Sequence, residues 1–205
     1  MPAHARKRET LQIDYFYHLA EAGNISSILK HGLMSTKRLL DFVGVPEPKH
    51  TALLQNYRPD LVCLSKDVMI RDQRPMPPKA LAPALEGGLK PSDWYALLNG
   101  FVFLWPDRGR MERQLRACRS RPQVLLTFDA MALLQSFDDE CFVSAINTGN
   151  ARRKPARRGC DTFVPFQTWL PEGFPTGQRT RFPAEFLFKC VIPTRAPYLL
   201  NVAKE

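Results

Sequence analysis

Three side chains in this 205-residue chain combine reactive types with telling positions. Glu185 stands just after Pro183, at the mouth of the apolar run Ala184–Ile192. That run alternates Ala184, Phe186, Phe188, Cys190 and Ile192 against Glu185, Leu187, Lys189 and Val191, the period of a strand with at least one buried face. A lone carboxylate there is oddly placed for solvation. It suits stabilising a nearby positive charge or taking up a proton. His18 lies inside a second strand-like run, DYFYHLA, where an imidazole can hold a hydroxyl without ionising. Arg71, in IRDQRPM, follows the run LVCLS, and its planar fork suits an anionic group. The pattern predicts that the three converge on one cleft. Each has a plainer reading: Glu185 pairing with Lys189 or Arg181, His18 a satisfied core histidine, Arg71 and Arg74 in a solvated turn.

The elements that must position them follow from periodicity and breakers. A strand is expected around Tyr15–Ala20, then a helix over NISSILKHG with Asn24 as N-cap and Gly32 past its end. A short helix over Thr36–Phe42 precedes a proline-bearing loop. LVCLS (61–65) reads as a buried strand, with the segment through Met76 as its exit loop. Helical pieces follow near 79–86 and at 92–99. GFVFLW (100–105) is a strand, and a helix opens after Pro106 and runs to about Cys118. QVLLTFD (123–129) and CFVSAIN (141–147) are strands around a helix at 130–136. Residues 148–182 read as a long irregular stretch, a length that usually signals function or disorder. Few crossover helices and closely spaced late strands predict an α+β fold: a split, mostly antiparallel sheet core with flanking helices.

Composition narrows the classes. One domain over residues 11–205, after a basic tail at 1–10, is the expectation for this length. No apolar stretch approaches the ~20 residues of a membrane span, and the first residues lack a secretory apolar region. Five scattered cysteines without a CxxC pair predict free thiols, no metal site and a cytoplasmic location. The net charge of +9 is concentrated. Residues 105–125 carry six arginines against Asp107 and Glu112, and residues 151–182 carry six arginines and Lys154 against Asp161 and Glu172. The rest of the chain is neutral. Such clustering suits a polyanion partner, or two merely solvated segments.

The ordered motifs resemble a known family. FYHLAEAGNISSILKHGLMS resembles the opening of ADP-ribosyltransferase-fold proteins. LVCLSKDVMIRDQRPM resembles a segment of the DarT-type ADP-ribosyltransferases, toxins that modify single-stranded DNA, with Arg74-Pro75-Met76 the literal match and Arg71 three residues upstream as competitor. QVLLTFDAMALL is similar to their strand ending in Asp before a Leu-Leu helix, and AEFLFKCVIP to the segment bearing their glutamate. GFVFLWPDRGRMERQLRA falls outside the resemblance, as a sister branch would allow.

The resemblance implies an ADP-ribosyltransferase-like split sheet and a mono-ADP-ribosyltransferase that uses NAD⁺ as substrate without a metal. It implies Glu185 as catalytic residue and His18, Leu19, Ser35, Thr36, Arg71 and Arg74 around the cofactor, with Tyr57 or Tyr95 stacking on nicotinamide. The expected acceptor is a nucleic acid, single-stranded DNA or RNA, met by Arg152, Arg153, Arg157, Arg158 and Trp169 beside Phe163 and Phe166. A bacterial toxin or defence effector, with an antitoxin or ADP-ribose hydrolase partner and no membrane association, is the implied setting. A protein or small-molecule acceptor, and a catalytically silent nucleic-acid-binding module of the same fold, stand as alternatives.

Overall fold

The structure, a computed structural model, describes residues 11–118, 120–152, 155–175 and 182–205. The described chain is mixed α and β, and every strand pair within its sheets is antiparallel. One sheet has the order β1 (Tyr15–Glu21), β5 (Gln123–Asp129), β9 (Leu199–Lys204). The second runs β4 (Val102–Leu104), β8 (Glu185–Phe188), β6 (Cys141–Ser144), β7 (Val164–Pro165). A hairpin of β2 (Val62–Ser65) and β3 (Val68–Ile70) stands apart. Among the described residues the two larger sheets share one backbone bridge, in which Tyr17 and Trp105 exchange hydrogen bonds of 2.9 Å each.

Aromatic side chains pack the sheets together. The Phe16 ring lies 4.6 Å from Phe186 and 6.3 Å from Phe188, all three fully buried. Each contributes roughly 1.5–3 kcal/mol by leaving water. On the sequence pattern, Glu185 should lie on the more polar face of its strand. Instead all four residues of β8 are buried, because the strand is interior to its sheet and covered on both faces. The strand is also shorter than the alternation predicts.

The helices are α1 (Ile25–His31), α2 (Thr36–Val43), α3 (Lys49–Gln55), α4 (Pro78–Leu81), α5 (Pro91–Asn99), α6 (Arg108–Ala117), α7 (Ala130–Ser136) and α8 (Phe166–Glu172). Helix α1 ends at Gly32, whose φ of +89° few side chains tolerate. A Cβ there would also lie 2.5 Å from Val191 Cγ1. The following residue, Leu33, forms an isolated bridge with Ile192, each N–H donating to the other's carbonyl at 2.9 Å.

Several expectations need correction. Asn24 does not cap α1; its amide clasps the Met69 N–H and carbonyl at 2.8 and 2.9 Å, pinning β3 to β1's exit. The proline-bearing loop contains α3, and the exit loop after LVCLS contains β3, so Arg71 follows β3 and not β2. The irregular stretch contains β7 and α8. The basic tail, Arg153, Arg179 and Arg181 lie outside the described residues.

Candidate functional site

A cavity of about 1000 Å³ opens where the two sheets part. The strands bring its chemistry together. His18 on β1 bonds through Nδ1 to the Phe103 carbonyl at 2.9 Å, next to the Tyr17–Trp105 bridge. Phe103 pairs with Leu187 of β8, two residues from Glu185. Residues 167 positions apart therefore reach one cavity wall. Leu19, Ser35, Thr36, Arg71, Arg74 and Arg152 line it as well.

Glu185 is only 3% exposed, and its Oε2 accepts two hydrogen bonds from Thr148: N–H at 3.1 Å and Oγ1 at 2.7 Å. Burial pushes its pKa up to about 7, against the downward pull of Thr148 and of the positive charges on Arg110 and Arg158. For His18, burial pushes the pKa down to about 4, helped by Arg71's charge and resisted by the Phe103 carbonyl. The ring is therefore neutral near pH 7, with its proton on the nitrogen facing that carbonyl and a lone pair on Nε2. Neither His18 Nε2 nor Glu185 Oε1 has a hydrogen bond among the described residues. Both residues line the cavity, and among the described residues the sealed side-chain atoms without partners are the indole nitrogens of Trp94 and Trp169.

The arginines are differently occupied. Arg71 donates from Nε to Glu21 at 2.9 Å, from Nη2 to Gln123, and from Nη1 weakly to Cys118 Sγ at 4.0 Å. Arg121 joins the same network, reaching Asp72 at 2.7 Å and Glu21 at 3.3 Å. Glu21 and Gln123 are both buried, and Glu21, Arg71, Asp72, Cys118 and Arg121 line the cavity. Arg74 is exposed, held by Asp60 at 2.7 Å and by the Pro59 carbonyl. Ser35 Oγ caps α2, accepting from the Arg38 N–H at 3.3 Å while its O–H stays available as a donor, and Thr36 is the first residue of that helix.

The expected acceptor residues do not assemble. Arg152 lines the cavity, with Nη2 bonded to the Arg74 carbonyl at 3.2 Å. Arg157 is exposed and paired with Glu86 at 2.9 Å. Arg158 is buried inside the fold, and Trp169 is buried among Phe166 and Phe174, so neither presents a face to a nucleic acid. Tyr95 is also interior, its hydroxyl on the Met76 carbonyl at 2.6 Å and its ring against Tyr57, and neither tyrosine lines the cavity. The lining aromatics are Phe101, Phe103 and Trp105. Sequence reasoning missed Glu21, Gln123, Arg121 and Thr148; only the burial of a glutamate at a strand's end could have hinted at the first. No group of His, Cys, Asp and Glu among the described residues could hold a metal, and no helix among them is long and apolar enough to cross a membrane.

Residues 14–198 match the model of a family of unknown function, DUF7002. The chain belongs to that family. Among curated proteins, none matches it. The match starts one residue before β1 and ends one residue before β9, so it contains every candidate residue of the cavity. What a DUF7002 member does must therefore be argued from this cavity.

Proposed function

We propose that this DUF7002 member is an NAD⁺-dependent mono-ADP-ribosyltransferase with an ADP-ribosyltransferase-like split sheet. The observation that carries the reading is the shared cavity wall: a buried Glu185 and a neutral His18, each with one polar atom that has no hydrogen bond among the described residues, line a space together with arginines. The volume suits a dinucleotide, at the upper end for small-ligand sites. The lining also suits it in charge. Five arginines (58, 71, 74, 121 and 152) face five acids (Glu21, Asp60, Asp67, Asp72 and Glu185), a mixed environment for a ligand with an anionic pyrophosphate and a cationic ring.

NAD⁺ supplies an ADP-ribosyl group whose bond to nicotinamide breaks with the electron pair leaving on the ring, through an oxocarbenium-like charge at the ribose carbon. Glu185 stabilises that charge with its carboxylate and accepts the proton the incoming nucleophile gives up; a pKa of about 7 makes it a usable base near neutrality. His18 accepts a ribose hydroxyl hydrogen at Nε2. Thr36 adds a hydroxyl, and Arg71, Arg74 or Arg152 meets the pyrophosphate.

The acceptor is a nucleic acid in this reading, and the surface that supports it is α6. Its inner side lines the cavity through Gln114 and Ala117, and Met111 is buried beneath it. Its outer side presents Arg113 and Arg116, exposed and without a carboxylate within ion-pair distance among the described residues. Arg108 lies close enough to affect Tyr17, whose ring is 6.5 Å from the exposed Tyr15. Arg113 and Arg116 supply cations for phosphates, and Tyr15 and Tyr17 supply aromatic faces for unpaired bases. A cytoplasmic toxin or defence effector, checked by an antitoxin or ADP-ribose hydrolase, is the setting this activity fits.

The deciding experiment incubates the full chain with labelled NAD⁺ and separate pools of DNA, RNA and protein. Nicotinamide release with label on nucleic acid is expected. Label on protein alone moves the acceptor to a protein side chain. Neither binding nor consumption of NAD⁺ overturns the enzyme and leaves the silent binding module.

A further inference from the structure

Arg158 is 1% exposed, and no carboxylate among the described residues lies within ion-pair distance of it. A buried guanidinium in that position needs its N–H groups met in another way. Three carbonyls meet them: Ala156 at Nε (3.0 Å), Thr148 at Nη1 (3.1 Å) and Asn150 at Nη2 (3.0 Å). The guanidinium carbon sits 5.7 Å from the centre of the Trp94 indole, within cation–π range. The backbone is anchored too. The Arg158 N–H donates to the Ala84 carbonyl, and the Arg158 carbonyl accepts from the Glu86 N–H, both at 2.9 Å. One side chain therefore closes the loop of residues 148–158 on itself, while its backbone ties that loop to the turn after α4.

We infer that Arg158 is a positioning residue for Glu185: by clasping the Thr148 and Asn150 carbonyls it fixes the turn whose Thr148 N–H and Oγ1 both hold the Glu185 carboxylate. The path is two contacts long, from guanidinium to Thr148 and from Thr148 to carboxylate. A planar fork is the side chain that can span several carbonyls at once; an ammonium presents a point charge and cannot. The same clasp shapes the cavity wall, since Asn147, Gly149, Asn150 and Arg152 line it. Arg158's charge also lowers the Glu185 pKa against the effect of burial. An arginine acting on Glu185 by charge alone would be replaced by lysine with no loosening of the Thr148 turn.

The catalytic meaning of this inference rests on the transferase reading, but the state of Glu185 is measurable without turnover. The test titrates the Glu185 side-chain carboxyl by carbon-13 NMR in the wild-type chain and in Arg158→Met, Arg158→Lys and Thr148→Val. Thermal unfolding confirms that each is folded. The Arg158→Met and Thr148→Val midpoints should rise above that of the wild type. Arg158→Lys, which keeps the charge, should shift less while its loop amides exchange faster. With NAD⁺, Arg158→Met should lower kcat roughly 10- to 100-fold and change KM less than about twofold, the split expected of lost transition-state positioning. An unmoved midpoint and unmoved kcat in folded Arg158→Met overturns the inference. Where Arg158→Met does not fold, unmoved loop exchange and kcat in Arg158→Lys overturn it equally. A wild-type chain that ignores NAD⁺ ends the transferase reading, and the midpoints still decide the role of Arg158.

Discussion

Arg71 Nε and Glu21 Oε1 lie 2.9 Å apart on the cavity wall, so the arginine at the end of β3 is already held by a carboxylate. Glu21 is buried and Arg71 partly so, which makes the pair costly to break from one side. Such an arginine is oriented in advance and can offer its remaining N–H groups to a phosphate without ordering a flexible chain. Arg74 is exposed, and its pair with Asp60 is screened by water and contributes little.

From this follows the first prediction. Arg71→Ala should weaken NAD⁺ binding by about 1.5–3 kcal/mol, and Arg74→Ala by markedly less. Isothermal titration with NAD⁺ reads both. Equal losses would show that the exposed arginine carries the pyrophosphate as much as the internal one does, and two unchanged affinities would remove this loop from the cofactor site.

Glu185→Gln separates chemistry from binding. The amide keeps the shape and can still accept from Thr148, but it cannot bear the negative charge. Turnover should fall at least ~100-fold while NAD⁺ affinity changes little. A parallel loss of affinity and thermal stability would assign Glu185 a structural role instead.

The two shifted groups have opposite effects on stability as pH changes. The Glu185 pKa rises on folding from about 4.5 to about 7, so between those values the folded chain holds the extra proton and stability falls as pH rises. The His18 pKa drops from about 6.5 to about 4, so between those values the unfolded chain holds the extra proton and stability rises with pH. From pH 4.5 to 6.5 the contributions oppose each other. In Glu185→Gln the first is gone, so the variant should gain on the wild type as pH rises from 4.5 to 7, by on the order of 3 kcal/mol. Urea unfolding at pH 4.5 and 7 measures it; a difference independent of pH would mean that the Glu185 carboxyl is not raised.

The outer face of α6 offers a test by salt. Replacing Arg113 and Arg116 with alanine should weaken binding of a single-stranded oligonucleotide and lower the slope of log affinity against log salt by about one per arginine. NAD⁺ affinity should stay within about twofold. An unchanged slope would take α6 out of nucleic-acid recognition.

Local patterns in the sequence made much of this scaffold readable, and the polar network much less so. The Phe-rich alternation marked β8, Gly32 marked the end of α1, and the spread of His18, Arg71 and Glu185 pointed to a shared cleft. Helix α3 was hidden by the prolines before it, and β9 by its exposed, half-polar surface. Arg158 read as an acceptor contact because a basic run usually lies at the surface; three converging carbonyls and the Trp94 ring make its burial tolerable, and no local pattern encodes them. The network of Glu21, Arg71, Arg121, Asp72 and Gln123 draws on β1, the segments around β3 and the start of β5, so it exists only once those are packed.

The reciprocal bonds between Leu33 and Ile192 make one side of the cavity a seam. They sew the turn before Ser35 and Thr36 to the chain leaving β8, so that wall and the strand carrying Glu185 travel as one body. The opposite rim, around Asp60 and Arg74, is fastened by solvent-exposed groups that water can replace. The lip around Asp60 and Arg74 is thereby the more easily opened, while the jaw that bears the carboxylate keeps its gauge.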